Sequence, residues 1–82
     1  MRIYRKTEGR QLEQIRCNCC GKNLKMQGQT AAEGVCRVEV TWGYFSEKDG
    51  EHHMFDLCEE CYDRITGAFA VPVEKEEEAE IL

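Results

Sequence analysis

Two Cys-x-x-Cys pairs constrain the fold of this chain more than any other feature of its sequence. Cys17 and Cys20 form the first pair, and Cys58 and Cys61 form the second. A gap of two residues lets one tight turn direct both sulfur atoms at the same ion, and four thiolates complete the tetrahedral shell that zinc prefers. The sequence therefore predicts one structural zinc ion, which joins two segments that are distant in the chain.

The residues beside each pair indicate how the sulfur atoms are positioned. Gly21 follows the first pair, and glycine reaches positive φ without strain, so the chain can fold back as a zinc knuckle. Asp56 and Glu59 flank Cys58 with the spacing of a capping box, which predicts a helix from Leu57 to about Ala68. The second pair would then lie in the first turn of that helix, where the helix dipole favours thiolate over thiol.

Alternating apolar residues between the two pairs predict a β-hairpin. The first strand would run from Val35 to Phe45 and return from His52 to Leu57, through a turn over 46–51 that contains Asp49-Gly50. Its apolar face would comprise Cys36, Val38, Val40, Trp42 and Tyr44. Matching the apolar faces predicts Trp42 opposite Phe55, Val40 opposite Leu57 and His53 opposite Tyr44.

A knuckle, a hairpin and a helix that supplies the last two ligands, in this order, resemble a treble-clef zinc finger. The resemblance covers about residues 15–70 and also extends to small zinc-ribbon-like proteins. It implies a small α+β domain stabilised by zinc. Treble clefs occur in nucleases, ribosomal proteins and protein-binding modules, so the resemblance implies a metal and a fold without implying one activity.

The segments around this region are less patterned. Residues 2–7 are expected to form a short strand or arm, and Gln11 to Arg16 a strand with a bulge or turn that leads into the knuckle. Lys25 to Gly34 is rich in glycine and small polar residues, which is typical of a loop. We expect residues 1–73 to form a single domain and residues 74–82 an acidic tail.

The length of the chain makes a metal important for folding. At 82 residues, a hydrophobic core alone supplies only a few kcal/mol of stability. A structural zinc ion contributes on the order of 10 kcal/mol of binding-linked folding energy. No apolar run approaches membrane-spanning length, and reduced thiols imply a cytoplasmic protein.

Disulfide bonds or a redox pair are the alternative use of six cysteines. The first residues contain no apolar segment typical of a signal peptide, which favours zinc over a secreted disulfide framework. Cys19 lies inside the knuckle and is expected to be a free thiol beside the ligands rather than a ligand. Cys36 lies on the apolar strand face, where a free cysteine behaves as a small hydrophobic residue.

Catalysis is not expected. His52 and His53 suggest comparison with nuclease versions of the treble clef, but the predicted helix offers Asp63 and Arg64 and no further histidine. Four cysteines also close the zinc shell, whereas catalytic zinc keeps one position open for water or substrate. We therefore expect a binding module that is not an enzyme and has no small-molecule substrate.

Charge is distributed unevenly along the chain and leaves two classes of partner open. Residues 1–25 carry seven basic and two acidic residues, whereas the whole chain has a net charge of −5. An acidic domain favours protein partners, while a local basic face at Arg2, Arg5, Lys6 and Arg10 would favour nucleic acid. A thiol-redox or zinc-sensing switch is a third hypothesis.

Two features favour a protein partner or a homodimer. Phe45 falls on the polar side of its predicted strand, so it is a candidate for an exposed binding residue near the hairpin turn. The extended ends, around Ile3 to Lys6 and Ala70 to Val73, have no partner in a minimal treble clef. Since unpaired strand edges tend to find partners, we expect these ends to pair with each other or with a second copy.

Overall fold

The computed structural model describes residues 1–7 and 9–77, including every side chain in these ranges except Lys6, Thr7 and Arg10. Within these residues, three antiparallel strand pairs precede a single helix. The strands are β1 (Arg2–Thr7), β2 (Gly9–Ile15), β3 (Met26–Gln27), β4 (Thr30–Ala31), β5 (Val35–Thr41) and β6 (His52–Cys58), and the helix is α1 (Glu59–Gly67). The fold is therefore small and of the α+β class, as predicted.

The first hairpin gives the N-terminal strand a partner inside the chain. β1 pairs with β2, from Arg2 opposite Ile15 to Thr7 opposite Gly9. The expectation that Ile3 to Lys6 pairs with Ala70 to Val73 or with a second copy assumed that this strand has no other partner in the chain. That assumption is wrong, because the strand pairs with β2. Residues 70–73 form no strand.

An irregularity in this hairpin explains the broken alternation of β2. Ile3 lies opposite Gln14 and Tyr4 lies opposite Leu12, so Glu13 is the extra residue of a β-bulge. A bulge reverses the alternation of side chains along the strand. Leu12 consequently packs against the same core as Ile15, and the predicted bulge in this stretch is confirmed.

The stretch predicted as a loop contains a very short hairpin. β3 and β4 pair through Met26 opposite Ala31 and Gln27 opposite Thr30. Gly28 lies in the turn with φ of 63°, a conformation that favours glycine. The prediction of a loop over Lys25 to Gly34 is thus wrong at these four paired residues and correct for the rest of the stretch.

The third hairpin has the predicted faces but a different register. β5 pairs with β6 so that Val38 lies opposite Phe55 and Val40 lies opposite His53. The predicted pairs of Trp42 with Phe55, Val40 with Leu57 and His53 with Tyr44 are wrong.

The turn causes this difference. Trp42 donates its backbone N–H to the carbonyl oxygen of Glu51 (2.9 Å), so β5 ends before Gly43 and residues 43–50 form a longer turn. Because the two strands slip by an even number of residues, the paired side chains of β5 and β6 keep their predicted faces.

The helix begins later than predicted. Asp56 and Leu57 belong to β6, and Cys58 is the N-cap residue, whose side chain makes no capping hydrogen bond. The predicted capping role of Asp56 is therefore wrong. The helix ends at Gly67, close to the predicted end. The backbone N–H of Ala68 donates to Ile65 O at 3.2 Å and that of Phe69 donates to Thr66 O at 3.0 Å, which caps this end.

The buried core is small and lies around the cysteines. Its buried apolar residues are Ile15, Cys17, Leu24, Leu57, Cys58 and Cys61. Residues 69–77 contain no helix or strand, and Glu78 to Leu82 lie outside the described residues, so the predicted boundary at residue 73 remains a prediction. In the described part of the chain, no helix is long and apolar enough to span a bilayer.

Candidate metal centre

The first cysteine pair lies on a turn that follows β2. Backbone hydrogen bonds from Cys17 N to Lys22 O and from Gly21 N to Cys17 O, both 2.9 Å, close this turn. Gly21 has φ of 79°, which confirms the positive φ predicted at this position. The knuckle is thus shaped by its own backbone hydrogen bonds and by one glycine.

The second pair lies where β6 gives way to α1. Cys58 is the last residue of the strand, and Cys61 lies in the first turn of the helix. This change from strand to helix places both sulfur atoms on the side of the knuckle. The prediction that both cysteines lie in the first turn of the helix is thus confirmed for Cys61, whereas Cys58 precedes the helix as its N-cap residue.

All four predicted ligands meet at one point. The Sγ atoms of Cys17, Cys20, Cys58 and Cys61 lie within 4.8 Å of one another, and those of Cys20 and Cys58 are 3.9 Å apart. Tetrahedral zinc with Zn–S bonds of about 2.3 Å requires sulfur atoms about 3.8 Å apart, whereas a disulfide requires about 2.05 Å. The cluster could therefore hold a metal ion, and its spacing fits a tetrahedral shell.

The environment of the cluster favours thiolate at one position. Burial opposes ionisation of Cys17, but hydrogen bonds from backbone N–H groups outweigh it and lower the pKa of this thiol from 9.0 to about 6. These N–H groups belong to Cys20, Cys58 and Cys19. Metals bind the thiolate form, so the backbone prepares this sulfur for coordination.

The last ligand shows the opposite behaviour. Burial raises the pKa of the Cys61 thiol, and hydrogen bonds with the neighbouring cysteines, first among them Cys58, raise it further. Thiolates packed this closely repel one another unless a cation lies between them. The four sulfur atoms therefore have an electrostatic reason to bind a metal ion.

Cys19 lies beside the cluster and outside it. Its side chain is exposed, and Arg64 Nη2 donates to its Sγ at 3.3 Å and to Cys61 Sγ at 3.5 Å. Hydrogen bonding to Cys19 is the first cause of the raised pKa of Arg64, followed by the charge of Cys61. Cys36 is half-buried and packs against the core, consistent with the expected hydrophobic role.

Asp56 forms an ion-pair cluster that sequence reasoning missed. It is fully buried and accepts hydrogen bonds from the α-amino group of Met1 (2.8 Å), Arg2 Nε (3.2 Å) and Arg37 Nη1 (2.8 Å). Burial alone would raise the pKa of this carboxyl, but the hydrogen bonds from Met1 and Arg2 outweigh it and lower the pKa. Since Arg37 lies directly opposite Asp56, a correct register would have revealed this pair.

Two further bonds connect Asp56 to the knuckle. Asn18 donates its backbone N–H to Asp56 O at 2.8 Å, and Asp56 donates its backbone N–H to Asn18 Oδ1 at 3.0 Å. Asn18 follows Cys17 directly, and Asp56 lies two residues before Cys58. These bonds therefore hold the two cysteine-bearing segments side by side.

The predicted binding residue Phe45 is exposed at the end of the third hairpin. Its side chain is 97 % exposed and packs edge-to-face on Tyr44, which is 84 % exposed, with ring centroids 5.2 Å apart. Tyr44 was expected on the buried face, and this expectation is wrong because the strand ends before it. The two rings form an aromatic tip, a name we use below for this pair.

Of the four basic residues predicted as a binding surface, Lys6 and Arg10 lie opposite each other in the first hairpin. The structure describes two of the four side chains: Arg2 contacts the buried Asp56, and Arg5 pairs with Glu13 at 3.5 Å. The side chains of Lys6 and Arg10 lie outside the described residues. Both described arginines are therefore engaged within the chain.

The two histidines lie in β6 beside the turn of the third hairpin. Trp42 Nε1 donates to His53 Nδ1 at 3.1 Å, and His53 Nε2 lies 3.0 Å from Glu51 Oε1. His52 is exposed. Among residues 1–7 and 9–77, the four cysteines form the one group of three or more His, Cys, Asp or Glu side chains that could hold a metal ion.

An apolar groove lies between the third hairpin and the helix. It has a volume of about 350 Å³, and its lining includes Val38 and Phe55 from the strands and Ile65 from the helix. Phe69 and Val73 line it from the segment after the helix. The groove runs along the face of the hairpin that the alternation predicted to be apolar.

Comparison of the chain with protein-family models, curated proteins and solved structures gives no match. The interpretation of the site therefore depends on its own geometry and chemistry.

Proposed function

We propose that this protein is a structural zinc-binding module that acts through contacts with other proteins. One zinc ion is bound per chain, with Cys17, Cys20, Cys58 and Cys61 as its ligands. The observation that carries the proposal is the convergence of these four sulfur atoms within 4.8 Å from two segments that are distant in sequence.

The donor set supports zinc over hard metal ions such as magnesium and calcium. Four thiolates form a soft, tetrahedral environment, which suits zinc or iron and is unsuitable for magnesium or calcium. Four protein ligands also complete the shell, so no position is left for a catalytic water. We therefore propose a structural role and no enzymatic activity.

The order of elements supports a treble-clef-like arrangement. The knuckle at Cys17–Cys20 precedes a hairpin, and the strand β6 leads directly into a helix that contains Cys61. This order resembles the treble clef, in which the hairpin lies between the two ligand pairs. The first hairpin, β1–β2, is an addition in front of the knuckle.

The composition of the core supports a metal that is needed for folding. Three of the six buried apolar residues are proposed ligands, and the remaining three contribute little apolar area for a chain of 82 residues. Zinc binding supplies on the order of 10 kcal/mol in small metal-dependent domains. The metal would thus replace the larger core that this chain does not have.

The exposed apolar surface supports a protein partner. The aromatic tip presents two nearly fully exposed rings, and exposed aromatic residues are enriched at protein interfaces. Nucleic-acid binding has less support because Arg2 and Arg5 are already paired with carboxylates of the same chain. The exposed thiol of Cys19 is the feature that a thiol-redox switch would use.

Metal analysis of the reduced, purified protein tests the proposal. We expect one zinc ion per chain, and cobalt substitution should give the absorption bands of tetrahedral thiolate coordination. A folded, reduced protein that contains no metal would overturn the proposal. Iron in place of zinc would confirm a four-cysteine metal site and show that the proposed identity of the metal is wrong.

A further inference from the structure

One arginine contacts the cluster from the helix. Arg64 lies three residues after Cys61, which is the spacing that brings side chains together on one face of a helix. Its Nη2 atom is 3.5 Å from Cys61 Sγ and 3.3 Å from Cys19 Sγ. The guanidinium therefore touches a proposed ligand and a neighbouring free thiol at the same time.

Charge gives this contact its importance. A zinc ion bound by four thiolates carries a net negative charge, and the first turn of the helix adds Glu59 and Glu60. Lys22 is close in sequence to the knuckle, but its Nζ pairs with Glu33 at 2.9 Å. Among the side chains that the structure describes, Arg64 is the cationic group with hydrogen bonds to these sulfur atoms.

We propose that Arg64 determines how firmly the four-cysteine site retains its metal ion, an inference that rests on the proposed function. Its hydrogen bond to Cys61 stabilises negative charge on this sulfur, and its own charge reduces repulsion among the thiolates. Loss of Arg64 leaves the four ligands in place and makes dissociation of the metal faster.

The position of Arg64 separates this role from a contribution to folding. The side chain is exposed, so its removal leaves no cavity in the core. Cys61, by contrast, is buried and belongs to the core. Substitution of Arg64 should therefore alter metal retention much more than it alters the folded structure.

Transfer of zinc from the loaded protein to a chromogenic chelator tests the proposal. We expect Arg64→Ala to release zinc about ten-fold faster, because residues that support metal ligands typically change metal affinity by about 10- to 100-fold and Arg64 is exposed. Arg64→Lys should restore part of the retention. Arg64→Gln, which keeps hydrogen-bond donors and removes the charge, separates the two effects.

Two controls isolate the contact with Cys61. Arg5→Ala removes another exposed arginine, one that pairs with Glu13, and should release zinc at the wild-type rate. Cys19→Ala removes one acceptor of Arg64 and leaves the other, so it should stay close to wild type. In cobalt-loaded protein, Arg64→Ala should move the thiolate-to-metal charge-transfer band to lower energy, a shift that a purely structural role would not produce.

The outcomes distinguish this inference from the proposed function. If Arg64→Ala binds one zinc ion and releases it no faster than Arg5→Ala, the inference is overturned while the zinc site stands. If the wild-type protein binds no metal, the proposed function fails first. If Arg64→Ala does not fold even with zinc and Arg64→Gln folds with wild-type retention, Arg64 is structural and the inference is likewise overturned.

Discussion

The two ends of the third hairpin are built in different ways. At the end that carries Cys58, three consecutive residues of β6, 56–58, are buried and contact segments that are distant in sequence. At the other end, Tyr44 and Phe45 are exposed, and the hydrogen bonds join near neighbours such as Trp42 and Glu51. One strand pair thus has a globally connected end and a locally connected end.

This contrast indicates a division of roles. Contacts between distant segments form only when the whole domain is folded, so residues at the Cys58 end should control stability. Local contacts can be lost while the rest of the domain stays folded, and regions of this kind often carry binding sites. Substitutions at the Cys58 end should therefore change stability more than substitutions at the end that carries the turn.

Loss of the metal site should have the largest effect. We expect Cys58→Ser, or removal of zinc by a chelator, to unfold the domain, because about 10 kcal/mol of binding energy exceeds the stability of a domain of this size. Circular dichroism and amide dispersion in NMR spectra measure the loss. Cys36→Ser is the matched control, since it changes a half-buried cysteine outside the cluster and should cost about 1 kcal/mol. A folded, metal-free Cys58→Ser variant would contradict this prediction.

Asp56 should be the second most sensitive position. Asp56→Ala removes the shared carboxylate that accepts hydrogen bonds from Arg37 and the amino group of Met1. Because both cations keep contact with water, we expect a loss of about 1.5–3 kcal/mol, the contribution of a hydrogen bond to a charged group. Urea unfolding of the zinc-loaded protein measures this loss. Glu39→Ala provides the comparison, because this exposed carboxylate pairs with the same Arg37 at 3.5 Å and should change stability by at most about 0.5 kcal/mol. Equal effects of the two substitutions would show that the buried cluster is not important.

His53 should have a smaller effect at the locally connected end. His53→Ala removes the acceptor for Trp42 Nε1, and a hydrogen bond of this kind contributes about 1 kcal/mol. Zinc content should not change, and tryptophan fluorescence should report a more solvent-exposed ring. The exposed His52 offers a neighbouring control, and His52→Ala should leave both fluorescence and stability unchanged.

The aromatic tip should have almost no effect on stability and the clearest effect on association. Phe45→Ser should change the free energy of unfolding by at most about 0.5 kcal/mol because the ring is almost fully exposed. Light scattering and chemical crosslinking of the wild type and the variant measure self-association. If the wild type associates and Phe45→Ser does so equally, the tip is not the contact surface.

The parts of this fold that depend on local pattern were predictable from the sequence. Glycine at position 21 indicated a positive φ after the first pair, and the structure has it at 79°. Alternation over β5 and β6 indicated which side chains share a face, and this holds although the register is different. The convergence of the four cysteines followed from the coordination chemistry of thiolates.

The parts that depend on distant contacts were not predictable in this way. The register depends on the length of the turn over residues 43–50, which no apolar pattern specifies. Asp56 has the sequence context of a helix cap, and only the pairing of Arg37 with it in the sheet shows that it belongs to a strand. Similarly, the pairing of β1 with β2 depends on a hairpin whose bulge interrupts the alternation.

If the four cysteines bind a metal ion as proposed, the bonds between Asn18 and Asp56 also affect how that ion is captured. The two residues are 38 positions apart, and closing a flexible loop of that length costs about 3 kcal/mol in chain entropy. When these bonds form first, the second cysteine pair meets the first at a high effective concentration. Binding of the ion then resembles chelation by a ligand whose arms are already tethered, and each sulfur that dissociates can rebind before the ion diffuses away.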